Sequence, residues 1–111
     1  MKHKRSIGEI KPLLKDIKEV LNKIYGDRLL EMILYGSFAR DDATDDSDID
    51  IAVLLKGDVD KYREIERMNN VIYQIVLEYG ELVAFYPLSK DEFLDYEWPL
   101  HYHIQMEGIK V

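Results

Sequence analysis

The sequence predicts an α+β domain: a small mixed β-sheet with helices packed mainly on one face. Three observations carry this. Residues 1–111 contain no repeat, linker or low-complexity tract, so they read as one domain. Two long segments place apolar residues at three- and four-residue spacing. Between and after them lie three short apolar runs bounded by glycine, proline or clustered polar residues.

In the first long segment Ile7, Ile10, Leu13, Leu14, Ile17, Val20, Leu21 and Ile24 form a helical stripe, with Lys15, Asp16, Lys18, Glu19 and Lys23 opposite. Pro12 is tolerable in a first turn and otherwise kinks the helix. Gly26 ends it. Leu29 to Tyr35 reads as a buried strand running into a turn at Gly36-Ser37, with one helical turn over 37–42. Asp48 to Leu55 alternates at first and then becomes wholly apolar, as in a strand that starts half-exposed and ends buried. Asp60 to Tyr79 is a second helix, its stripe being Tyr62, Ile65, Met68, Ile72, Ile75, Val76 and Tyr79, and Gly80 stops it. Glu81 to Leu88 is a third strand, stopped by Pro87 and by Ser89-Lys90-Asp91-Glu92. That tetrapeptide has the spacing of a capping box, so a short helix begins there. Pro99 to Glu107 is a last helix, ended by Gly108.

Composition excludes several functions. No apolar run approaches the roughly 20 residues of a membrane-spanning helix. The basic start, Met1 to Ser6, has no apolar segment or cleavage site after it, so secretion is not expected. The absence of cysteine removes disulfides, thiolate metal sites and thiol catalysis, and fits a cytoplasmic protein. A net charge of −7 argues against tracking duplex nucleic acid by charge, although one phosphorylated ligand could still be held with a divalent cation. The eight tyrosines and Trp98 leave room for a patch that binds a partner or a second copy in a homo-oligomer.

The acidic residues are uneven: Asp41, Asp42, Asp45, Asp46, Asp48 and Asp50 fall within ten positions. Two residues apart on a strand, Asp48 and Asp50 project from one face, and like charges about 6 Å apart repel by a few kcal/mol at an effective dielectric near 20. Such a pair shares a proton or holds a cation. Oxygen-only ligands point to Mg²⁺ or Mn²⁺. Gly36 lets the backbone turn sharply and a ligand approach, and the N–H groups after it, with the Ser37 hydroxyl, form an anion site. Arg40 contacts a phosphate or orders the acidic loop by an ion pair. Ser47 caps or turns the chain into the strand. Other motifs fail: a calcium loop starting at Asp46 would have Ile51 and Gly57 at its glycine and glutamate positions, and no P-loop or dinucleotide fingerprint is present. His101 and His103 diverge by about 200° on a helix and make a poor metal pair.

Gly36-Ser37-Phe38-Ala39-Arg40 followed by Ser47-Asp48-Ile49-Asp50-Ile51-Ala52-Val53-Leu54 resembles the signature of the nucleotidyltransferase superfamily related to DNA polymerase β, and the length is similar to its minimal nucleotidyltransferase branch. The resemblance implies the nucleotidyltransferase fold. It implies that Gly36 and Ser37, with Arg40 and Ser47 of the same signature, hold ATP or another NTP, and that Asp48 and Asp50 bind Mg²⁺ or Mn²⁺ and serve catalysis. The implied reaction transfers a nucleoside monophosphate with release of pyrophosphate. The implied partner is a separate helical HEPN-type protein, for which this chain acts as antitoxin by AMP transfer. Two departures stand out. Asp41 replaces a frequent glycine, and aspartate tolerates the left-handed backbone such a turn uses. The family's third carboxylate, a general base on a later strand, has no counterpart in Leu82 to Tyr86, which leaves Glu81 as the near candidate. Two rival readings follow: a catalytically inactive nucleotide-binding protein that neutralises its partner by contact, and a scaffold whose acidic loop holds a structural cation.

Overall fold

The structure, a computed structural model, describes residues 3–95 and 97–111, so Met1 and Lys2 of the basic N-terminus lie outside it. Helix α1 spans Ile7–Tyr25, and a 3-10 turn, Gly26–Arg28, leads into β1, Leu29–Tyr35. Strand β2 spans Ile49–Leu55, α2 Lys61–Tyr79 and β3 Val83–Ser89. Helix α3, Lys90–Phe93, and α4, Pro99–Glu107, precede a short strand β4, Ile109–Lys110. The sheet order is β3-β2-β1-β4. Strands β1 and β2 are antiparallel, β2 and β3 parallel, and β4 adds antiparallel to β1, so the sheet is mixed as expected.

The alternation of side chains across the sheet sorts the core into two layers. Ile49, Ile51, Val53 and Leu55, with Met32 and Leu34, pack against the buried stripes of α1 (Ile10, Leu13, Ile17, Leu21) and α2 (Met68, Ile72). Ile33, Ala52, Leu54 and Leu88 point the other way and are covered by Ile104 of α4. The long helices therefore occupy one face and a single short helix part of the other. No helix among the described residues is long and apolar enough to cross a membrane.

Four local outcomes differ from expectation. Pro12 lies in the second turn of α1, on its solvent side. In α2 the buried face is Glu64, Met68 and Ile72, while Tyr62 is 85% exposed and Tyr79 also faces water. Glu64 can occupy that face because Tyr25 and Arg28 satisfy it, each donating to it at 2.9 Å. Pro87 sits inside β3, opposite Val53, because β3 is an edge strand and a missing N–H there breaks no ladder on its open side. Strand β4 was not expected; its two residues are too few to show a period. The Ser89/Glu92 capping box forms, with Glu92 N–H donating to the Ser89 hydroxyl and Ser89 N–H to the Glu92 carboxylate.

Candidate functional site

The site begins where β1 runs out. Gly36 takes φ +75°, a conformation that strains any residue with a Cβ. Residues 37–40 then make one turn, closed by Arg40 N–H to Gly36 carbonyl at 3.1 Å and Asp42 N–H to Ser37 carbonyl at 3.0 Å. Asp41 N–H also reaches the Phe38 carbonyl, and Asp41 itself is left-handed, at φ 61°. Together these are the bonds of a Schellman motif, with Asp41 where glycine is usual. Buried Phe38 anchors the turn to the core, and the Arg5 guanidinium lies 5.4 Å from its ring centre. Such a turn leaves the N–H groups of Ser37, Phe38 and Ala39 outside its own bonding.

Asp50 is the β2 residue paired with Tyr35 of β1, immediately before that turn. A Cβ placed on Gly36 would fall on the Asp50 carboxylate, so glycine is what allows the carboxylate and the turn to touch. Burial, then the charge of Asp48, push the Asp50 carboxyl above its ordinary value, with Arg40 opposing. Tyr35 is pushed up to about 12 by burial and by Asp50. A cleft of about 560 Å³ opens here, lined by Tyr35, Gly36, Ser37, Arg40 and Asp50 on one side and by Leu100, His103 and Glu107 of α4 on the other. That volume is in the usual range for a small-molecule site.

The remaining sequence candidates lie beside this cleft. Asp48 is exposed just ahead of β2, near enough for its charge to act on Asp50, but it lines a second hollow with Ser47, Arg5 and Glu81. Ser47 closes its own loop, accepting from Thr44 N–H at 2.9 Å. Glu81 receives both terminal nitrogens of Arg5, at 2.9 and 2.6 Å, and stands outside the main cleft. On β3 the neighbour of Asp50 is Ala84, and Tyr86 follows on the same face, so the strand brings no acid to it. Arg40 pairs with Asp42 at 3.3 Å and faces Glu107 at 3.7 Å.

His103 and Glu107 had not been singled out as a pair, although their four-residue spacing puts them on one helix face. What hides their role from the sequence is the return of α4 to the turn. Gly108 permits it: a Cβ there would collide with the Ile104 carbonyl and the Ile33 side chain. His101, two residues before His103, points into the sheet instead, with its Nε2 2.7 Å from the Tyr86 hydroxyl.

For a cation, the available set is two carboxylates. Among the described residues no three carboxylate or imidazole groups gather to bind a metal unaided. That suits Mg²⁺, which typically takes one or two carboxylates and completes its shell with phosphate and water. The partly buried Asp50 carboxylate, seated against Gly36 with the charge of Asp48 acting on it, is the observation that fits such an ion.

A carboxylate lodged against a glycine-serine turn, at a cleft of small-molecule size on an α+β sheet, defines the site. The chain belongs to the nucleotidyltransferase domain family, whose family model matches residues 14–111. Two relatives come from Methanocaldococcus jannaschii, each named "Putative protein adenylyltransferase". One is 35% identical over 98 residues, covering 85% of this chain and 92% of the relative. The other is 29% identical over 90 residues, covering 78% and 90%. A crystal structure described as "a putative nucleotidyltransferase from Sulfolobus solfataricus" shares the fold with a TM-score of 0.60 at 23% identity, over 92% of this chain and 80% of that one. Nucleotidyl transfer is thus the general activity to which the chain's family points.

Proposed function

We propose that this chain transfers AMP from ATP to a hydroxyl on a partner protein, and that the partner is a separate helical HEPN-type protein which the chain neutralises as an antitoxin. The observation that carries this reading is the contact of Asp50 with the Gly36 turn at the mouth of a nucleotide-sized cleft. The names of the two relatives support a protein as acceptor.

In this reading Ser37, the amides that follow it and Arg40 receive the triphosphate, Asp48 and Asp50 hold Mg²⁺ (or Mn²⁺), and Ser47 keeps the acidic loop in shape. The metal would screen the phosphates and the charge that develops in the transition state. Asp50, set back against Gly36, would hold the metal close to the turn.

The experiment is to incubate the purified chain with a helical HEPN-type protein as candidate acceptor, Mg²⁺ and ATP labelled at the α-phosphate. Label is expected on the partner, and Asp48→Asn is expected to abolish it. A folded partner that stays unlabelled with every NTP removes the enzymatic reading. Ala84 opposite Asp50 favours the second reading, neutralisation by contact with nucleotide bound but not transferred. In that case Asp48→Asn neutralises the partner as well as the wild type does.

A further inference from the structure

Nucleotidyl transfer needs a group that takes the proton of the attacking hydroxyl, and the described residues do not offer one where the family reading looked for it. Beside Asp50, β3 presents Ala84 and then Tyr86. Glu81 gives both oxygens to Arg5 and lines another hollow. The cleft does hold an imidazole. His103 lies on its α4 wall, its side chain 59% exposed, and its Nδ1 faces Glu107 Oε1 at 3.7 Å.

We propose that His103, oriented by Glu107, is the proton acceptor for the incoming hydroxyl, which makes α4 the acceptor side of the cleft. The proposal rests on the transfer reading above. With Nδ1 turned to Glu107, Nε2 is the ring nitrogen left for the acceptor. The acceptor oxygen forms a bond to the α-phosphorus, the bond from that phosphorus to the bridging oxygen breaks, and pyrophosphate leaves with the electron pair. The hydroxyl proton passes to Nε2 and then to solvent, to which the half-exposed ring has access. Imidazole suits this role because a neutral ring has one nitrogen that accepts a proton while the other donates to its neighbour. The charged and titratable groups around it are Glu107 on its own helix, Arg40 with Asp42 on the turn, Asp50 on β2 and Tyr35 on β1. The Tyr102 ring meets the imidazole edge-on at 5.8 Å.

The test uses two small acceptors with Mg²⁺ and ATP: N-acetyltyrosinamide, whose hydroxyl must lose a proton, and para-nitrophenol, already ionised at a mildly alkaline assay pH. His103→Gln is expected to slow transfer to N-acetyltyrosinamide by about 100-fold, the lower end for general-base catalysis. Transfer to para-nitrophenol should stay within about threefold of wild type, because no proton remains to be taken. Glu107→Gln should show the same selectivity with a smaller loss. Equal loss with both acceptors, or no loss with either, overturns the assignment while leaving the transfer reading intact. A folded wild type that modifies neither small acceptor and leaves the partner protein unlabelled with any NTP sinks the transfer reading, and the assignment falls with it.

Discussion

Gly36 joins conformation and chemistry at a single residue. Its φ of +75° alone makes any other residue costly, and an added methyl would also displace the Asp50 carboxylate. Gly36→Ala is therefore expected to cost about 2 kcal/mol in stability, and to weaken Mg-ATP binding more than tenfold, read by calorimetric titration. The two costs can be separated. In an Asp50→Ala background the clash with the carboxylate is gone and only the Cβ contact remains, so the stability cost of Gly36→Ala should shrink toward the part due to backbone strain. A cost unchanged by removing Asp50 would show that the carboxylate and the turn are independent. Much at this scale was legible. Asp41 was read as a residue tolerant of the left-handed region, and it adopts φ 61°. The placement of Glu81 was not, because its partner Arg5 lies 76 positions away and a surface-type glutamate carries no mark of its ion pair.

Among the elements, the clamp between α1, β1 and α2 shows how a polar residue takes a core position. Glu64 is 5% exposed, yet Tyr25 from the end of α1 and Arg28 ahead of β1 both donate to it. Burial works against its ionisation, but the bonds from Arg28 and Tyr25 outweigh it and hold the carboxyl below its ordinary 4.5. A depressed folded-state pKa adds stability above the unfolded value, and that stability is lost as pH falls through the folded value. Glu64→Gln should thus lower stability by about 2 kcal/mol near neutral pH, less than for a fully buried pair because Arg28 remains partly exposed. In melts taken at successive pH values, the gap between variant and wild type should narrow as pH falls below the carboxyl's ordinary 4.5 and close once the folded-state carboxyl is protonated. A gap that persists in acid would mean that shape, not charge, sets the cost. The same clamp explains why the α2 stripe was misread. Periodicity ranks Tyr62 as apolar and Glu64 as polar, whereas tertiary pairing buries the glutamate and leaves the tyrosine in water. By contrast β1, an apolar run between turn signals, has the bounds Leu29 and Tyr35 that the pattern predicts. Pro87 escaped the pattern because edge position, which licenses a proline within a strand, is a property of the assembled sheet.

At the scale of the whole molecule, the site lies where three parts of the chain meet: the turn after β1, the start of β2 and the return of α4. The first two are near in sequence and share a motif, so they could be read together. The third arrives through the contact of Gly108 with Ile33 and the short pairing of β4 with β1, which no local pattern announces. A ligand bridging the turn and the carboxylates should stabilise the whole fold by mass action. Mg-ATP at a hundredfold excess over its Kd is expected to add about 2.7 kcal/mol, or roughly 10 °C or more in melting temperature for a domain near this size. Mg²⁺ alone should do much less, since two carboxylates leave most of its coordination shell to water and phosphate. Asp50→Asn should abolish the ATP-dependent shift. The same variant should melt higher than wild type without ligand, because it removes a carboxylate that burial and Asp48 disfavour in its charged form. The structural-cation scaffold makes the opposite forecast: the full shift with Mg²⁺ alone and no further gain from ATP. That pattern would separate the acidic loop from nucleotide chemistry and leave the Gly36 turn without a ligand.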